Sequence, residues 1–255
     1  MNIFKHFSNT SSRFDFKDGC KNRKSFILLF HTASFKNFIT CLIISLSASV
    51  ANAQTETDFR KTLHDRSVKI VNTLELKDSG KYNNVVDLLT DQYFDLNKVQ
   101  DKAKEPIAAI NSLQLAGEEK TSRIRIEEEK KTSQLSELHK GFIAKLQKKL
   151  TDEQIEKIKD GMTYRVMPIT YTAYLDMIPA LTVEQKEKIY NWLSEARELA
   201  MDEGSSEDKH KVFGKYKGRI NNYLSTQGYD MKVEEKGWQQ RIKEREAAKK
   251  SGTGK

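Results

Sequence analysis

The chain has 255 residues, with 44 Lys+Arg against 36 Asp+Glu for a net charge of +8, 37% hydrophobic residues and 3 prolines. It has no run of about 18 uncharged apolar residues, which excludes a multi-span membrane protein, and too little Gly and Pro for a collagen-like or low-complexity chain. The charge is unevenly placed. Residues 1–53 contain Lys5, Arg13, Lys17, Lys21, Arg23, Lys24 and Lys36 against Asp15 and Asp18, a net +5 that leaves +3 for residues 54–255.

Residues 38–50 form an uncharged apolar stretch, preceded by Lys36 and followed by Ala51-Asn52-Ala53. Small residues three and one before a cut suit signal peptidase, so residues 1–53 read as a leader with a signal peptide cleaved between Ala53 and Gln54. The core is short against the ~20 residues that span a bilayer, so no stable membrane span is expected after cleavage. The expected destination is the periplasm or the exterior. Cys20 and Cys41 both lie in the leader. A cysteine-free mature chain excludes disulfides, a thiolate metal site and a cysteine nucleophile.

From residue 54 the pattern is helical throughout, and an all-α irregular multi-helix bundle forming a single domain over 54–243 is expected, with 244–255 as a disordered tail. Phe59, Leu63, Ile70, Val71 and Leu74 mark a first helix, broken at Lys77-Asp78-Ser79-Gly80. Val85, Val86, Leu88, Leu89, Tyr93, Phe94, Leu96 and Val99 form the wide stripe of a second, beginning near Lys81. Pro106 either kinks that helix or starts a short continuation ended by Gly117. Residues 118–149 read as a long charged helix packed through Ile124, Leu135, Leu138, Phe142 and Leu146.

Leu150-Thr151-Asp152-Glu153-Gln154 and Leu181-Thr182-Val183-Glu184-Gln185 are two capping boxes. In each, the Thr hydroxyl accepts from the amide three residues on, and the Gln there returns a bond to the cap. Such Leu-Thr-x-x-Gln boxes resemble those of small periplasmic stress-response chaperones, which would imply an apolar helical cradle for client proteins.

Between the boxes, Tyr164, Tyr171 and Tyr174 recur at helical spacing among Met167 and Met177. Two readings stay open: a buried stripe, or a platform on which tyrosines stack against sugar rings. Asp202 to Ser206 is expected to cap a helix ending at Gly228. One face carries Val212, Phe213, Tyr216, Ile220, Tyr223 and Leu224; the opposite face carries Gly214, Gly218, Asn221 and Ser225. Two helical glycines cost roughly 1 kcal/mol each relative to alanine. They would be explained by close helix–helix approach or by a bare groove floor beside Asn221 and Asn222. Lys211, Lys215, Lys217 and Arg219 flank that face.

The segment Leu150–Asp230 carries the strings Lys159-Asp160-Gly161-Met162-Thr163-Tyr164, Ala200-Met201-Asp202-Glu203-Gly204-Ser205-Ser206-Glu207-Asp208-Lys209-His210 and Phe213-Gly214-Lys215-Tyr216-Lys217-Gly218-Arg219-Ile220-Asn221-Asn222-Tyr223-Leu224. It resembles a family of exported helical proteins of unknown function from Gram-negative polysaccharide degraders, to which sugar binding is ascribed. The resemblance implies export, a helical fold and a carbohydrate role, and supplies no catalytic residues.

The expected function is therefore a non-catalytic carbohydrate-binding or accessory protein, with acidic oligosaccharides among its ligands. Tyr164, Tyr171, Tyr174 and Trp192 would stack on sugars, while Lys215, Arg219, Asn221 and Asn222 would bond hydroxyls or carboxylates. A periplasmic chaperone is the alternative, and an enzyme such as a glycoside hydrolase the third reading. Asp160, Asp176 and Asp202 are the carboxylates nearest the aromatics, and a hydrolase needs two of them ~5 to 9.5 Å apart in a cleft. His64, His139 and His210 are isolated in sequence, and no phosphate loop, dinucleotide fingerprint or nucleophile elbow occurs, so no cofactor or metal is expected. A mature charge of +3 gives little phosphate affinity, so no nucleic acid is expected as partner.

Overall fold

A computed structural model describes residues 56–252, with side chains through residue 249. The expected leader, its cleavage point and both cysteines lie outside the described residues. Within them the protein is an all-α multi-helix domain, as the periodicity implied. Helix α1 covers 56–71 and runs into a 3₁₀ turn at Asn72–Leu74. Glu75 then takes a left-handed conformation (φ 52°), and Asp78 caps α2 (Ser79–Ser112) by accepting from the Lys81 amide at 2.7 Å. Gly80 is thus in the first turn of α2, not in the break before it.

α2 continues through Pro106 without interruption. Its end is set at Leu113, whose amide bonds Ile110 O, and Gly117 opens α3 (Gly117–Gln147) instead of terminating a continuation. Glu118 and Glu119 in the first turn of α3 offset the positive end of its dipole where Ala116 offers no side-chain cap. The two long helices form a hairpin. Its base is well packed: Val85, Leu89, Leu96, Phe142 and Leu146 join Leu63, Val71, Ile155 and Ile158 in the core. No residue from Asn97 to Gly141 is buried, so the outer part of the hairpin relies on the pairing of its two helices.

Both capping boxes form as expected. Thr151 caps α4 (Asp152–Met162), and Thr182 caps α6 (Val183–Met201), each with the reciprocal Gln bond, and the leucine before each Thr is buried. Between them lies α5 (Val166–Met177). α7 (Ser206–Thr226) is capped by Ser205, and Gly228 takes φ +93° just beyond its end, the position where only glycine is unstrained. Asp202 is not that helix's cap: it ends α6. α6 packs on α4, α5 and α7, burying Ile189, Leu193, Ala196 and Ala200. α8 (Met231–Gly252) packs on α5 and α7 and runs beyond Lys243, where the sequence reading ended the domain. It is fastened through Asp176, which accepts from Trp238 Nε1 at 2.6 Å and from two Arg245 nitrogens at 2.9 and 2.6 Å.

One close approach fixes how α4 meets α1. A Cβ on Gly161 would lie 2.7 Å from Cγ2 of Ile70, inside van der Waals contact. Gly161→Ala should cost about 1–2 kcal/mol through overpacking. Adding Ile70→Ala should remove most of that increment, because the two substitutions share one contact. Urea unfolding of the four proteins in this cycle measures the coupling, and an additive result would place the strain elsewhere.

Candidate functional site

α6 organises the candidate surface. Side chains two apart on a helix lie on opposite flanks, so Tyr190 turns toward α5 while Trp192 turns toward α7. On the α5 side, Tyr190 meets Tyr171 edge to face, with ring centroids 5.4 Å apart. The two rings line an open pocket of about 400 Å³ completed by Val183, Lys186, Glu187 and Asn191. Tyr190 remains 41% exposed, so its ring is accessible. The start of α6 is held from outside as well: the Tyr229 hydroxyl donates to Gln185 Oε1 at 3.0 Å, bracing the capping glutamine.

On the α7 side, Trp192 packs edge to face on Tyr223, centroids 5.4 Å apart. Arg219 Cζ lies 4.6 Å from the Trp192 centroid, and Lys188 Nζ lies 4.4 Å from that of Tyr223 and 5.3 Å from that of Trp192. Glu195 approaches Arg219 at 3.8 Å. Burial, aided by a hydrogen bond with the same carboxylate, pushes the Tyr216 hydroxyl up to about 12. Cations therefore already lie against the rings of Trp192 and Tyr223.

The other expected site residues separate. Tyr174 is buried, and its hydroxyl donates to Asn221 Oδ1 at 2.7 Å, tying α5 to α7 and engaging both side chains in packing. Burial raises its pKa well above the ordinary tyrosine value. Tyr164 lies outside α5, on the α4–α5 turn, where it and Arg165 both have positive φ (55° and 57°). It stacks on His210 at the start of α7, 6.1 Å between centroids. Lys215 and Asn222 are exposed on α7. A Cβ on Gly214 or Gly218 would meet nothing within 4 Å, so no neighbouring helix packs against the glycine pair, which stands open.

The carboxylates considered for hydrolysis are committed elsewhere. Asp160 accepts from Arg197 at 2.7 Å. Asp176 fastens α8, and the Arg245 guanidinium beside it holds its carboxyl down at about 2. Asp202 bonds His139 Nδ1 at 3.1 Å. His139 is isolated in sequence but not in space: its Nε2 lies 3.3 Å from Glu198, which also meets Lys159 at 3.0 Å. Hydrogen bonds to Asp202 and Glu198 raise His139 to about 9. Among the described residues, no group of three or more His, Cys, Asp or Glu side chains is arranged to hold a metal ion.

The sequence reading missed Tyr190, Lys186, Lys188 and Asn191. The available signal was Tyr190-x-Trp192 on a well-capped helix, two aromatics obliged to flank opposite sides of one buried stripe. A family model described as protein of unknown function (DUF3826) matches residues 60–244. No curated protein matches the chain.

Proposed function

The chain belongs to the DUF3826 family, which carries no assigned activity, and we propose that it is an exported, non-catalytic carbohydrate-binding protein. The single observation that supports this most is the Tyr171–Tyr190 pocket. Two tyrosines at right angles present an apolar wall with polar rims, the chemistry that suits a pyranose ring. Lys186, Glu187 and Asn191 supply hydrogen-bond donors and acceptors around it, and a small set of convergent polar groups in a concave site is what orients a ligand. Export rests on the leader pattern of residues 1–53. In this proposal the site shifts from the Tyr164–Tyr174 stripe and the glycine face to the α5–α6 seam, keeping Tyr171 and adding Tyr190.

A glycan array probed with residues 54–255, followed by calorimetry on each hit, tests the reading. Tyr190→Ala should weaken a bound oligosaccharide about tenfold, equivalent to ~1.4 kcal/mol. Tyr164→Ala, on the α4–α5 turn and stacked on His210 instead of lining the pocket, should leave it unchanged. Absence of any glycan ligand would sink the proposal.

One observation favours a second reading, a helical chaperone. The outer α2–α3 hairpin buries no residue from Asn97 to Gly141 and exposes Leu113 and Ile126, and exposed apolar side chains suit transient client contact. Suppression of client aggregation that disappears in Leu113→Ser/Ile126→Ser, together with an empty array, would establish it over the first.

A further inference from the structure

We propose that the α6–α7 seam is an anion subsite, which takes a carboxylate or sulfate group carried by the saccharide held at the neighbouring tyrosine pocket. This rests on the carbohydrate reading above and names the ligand class within it.

Two cations lie against one pair of rings. Lys188 from α6 and Arg219 from α7 both reach the Trp192–Tyr223 pair, at 4.4 to 5.3 Å from the ring centroids. Converging like charges repel, and each exposed cation–π contact returns only ~0.5–1 kcal/mol. One carboxylate, Glu195, offsets them, and it meets Arg219 at 3.8 Å with both side chains 55% exposed. Among the described residues no carboxylate lies within ion-pair distance of Lys188. A guanidinium carries five donors, and a single long contact leaves most of them for another acceptor. Lys215, one turn before Arg219 and exposed, adds a third positive charge on the same helix.

A plain α6–α7 staple would need the rings but not two charges. An anion seated between Lys188 and Arg219 would exchange weak screening for charge-assisted bonds. The rings limit how far either cation strays, so less freedom is lost on binding. Tyr190 and Trp192 stand on opposite flanks of α6, about 10 Å apart at the width of a helix. An oligosaccharide crossing α6 over Glu187 and Asn191 therefore reaches both seams. Its anionic group displaces Glu195 from Arg219, and the acidic residues on the crossing surface face its neutral part.

The test uses residues 54–255 and two matched pairs of probes: oligogalacturonate with its methyl ester, and a sulfated galactan oligosaccharide with its desulfated form. Calorimetric affinities at low and at physiological salt are compared for the parent, Lys188→Gln/Arg219→Gln and Tyr190→Ala. The charged member of one pair should bind about tenfold or more tighter, and the advantage should shrink as salt rises. The pair that shows it tells carboxylate from sulfate. The double substitution should level that pair while leaving the neutral affinity unchanged, whereas Tyr190→Ala should weaken both members. Lys188→Gln alone, at an exposed position, gives a partial levelling and covers the case where the double variant does not fold. Equal affinities within both pairs, or a preference that survives the double substitution, overturn the anion subsite and leave sugar binding standing. Failure of every probe, with an empty array, overturns both.

Discussion

Replacing Arg197 by methionine should lower the unfolding free energy by about 3 kcal/mol, the largest effect expected from a single polar substitution in this protein. Arg197 is only 3% exposed, yet its guanidinium bonds Asp160 at 2.7 Å and Glu156, with Glu198 at 3.5 Å. Burial acts against the charge, and the hydrogen bonds to Asp160 and Glu156 outweigh it, holding the pKa above the usual arginine value. Methionine fills similar volume, so little is lost in packing. The loss arises because Asp160, whose side chain is 22% exposed, keeps its charge without a partner. Glu156, 43% exposed, can turn to solvent and contributes less. The same variant carrying Asp160→Asn should recover a substantial part of the loss, since the uncompensated charge is then gone. Urea denaturation of parent, single and double variants measures this. A single-variant loss below about 1 kcal/mol would mean that the network adds little beyond α4–α6 packing.

The second large effect is pH dependence through His139. Its folded pKa of about 9 stands above the ordinary value of 6.5, first because of the Asp202 hydrogen bond and then that of Glu198. A group whose pKa rises on folding stabilises the folded state fully below its unfolded value. The contribution is then lost as pH climbs toward the folded value. Stability should therefore fall between pH 6.5 and 9, by about 3 kcal/mol in all. Lys209 acts with the opposite sign. It is buried, with Nζ donating to Ala200 O at 2.8 Å and Met201 O at 3.0 Å, where it closes the C-terminal end of α6. Burial is the main cause that lowers it to about 8. The cost of its buried charge is thus present below pH 8 and relieved as pH rises toward 10.5. Between pH 6.5 and 8 the His139 effect stands alone, so urea midpoints across that window should decline in the parent and stay flat in His139→Gln. A decline of equal slope in the variant would refute the assignment. Around pH 9 the two groups oppose each other, and the parent curve should flatten.

These two networks show why function was hard to read from the chain. His139 and Asp202 are 63 residues apart, and Arg197 and Asp160 are 37 apart. A scan for metal or catalytic spacing therefore finds isolated residues where folding makes clusters. The same holds at the candidate site. Tyr171 and Trp192 were both legible as aromatics on helices. Their partners Tyr190 and Tyr223 follow only from how α5 and α7 seat against α6. Tyr174 and Asn221 were assigned to a ligand, yet the interhelical bond at 2.7 Å uses both.

The helical class, the starts of α4 and α6 and the stop at Gly228 were all readable because their causes are local. A Thr–Gln box needs four residues, a left-handed stop needs one glycine, and an apolar stripe needs a few turns. Gly117 and Asp202 were misplaced for a related reason: each is a competent helix terminus by type, and its actual role depends on which neighbouring helix claims the adjoining residues. Packing alone settles which flanks of α5, α6 and α7 meet, which carboxylate reaches which cation, and whether a glycine face is covered or open. Those outcomes depend on helix positions and crossing geometry, and no spacing within a single helix encodes them.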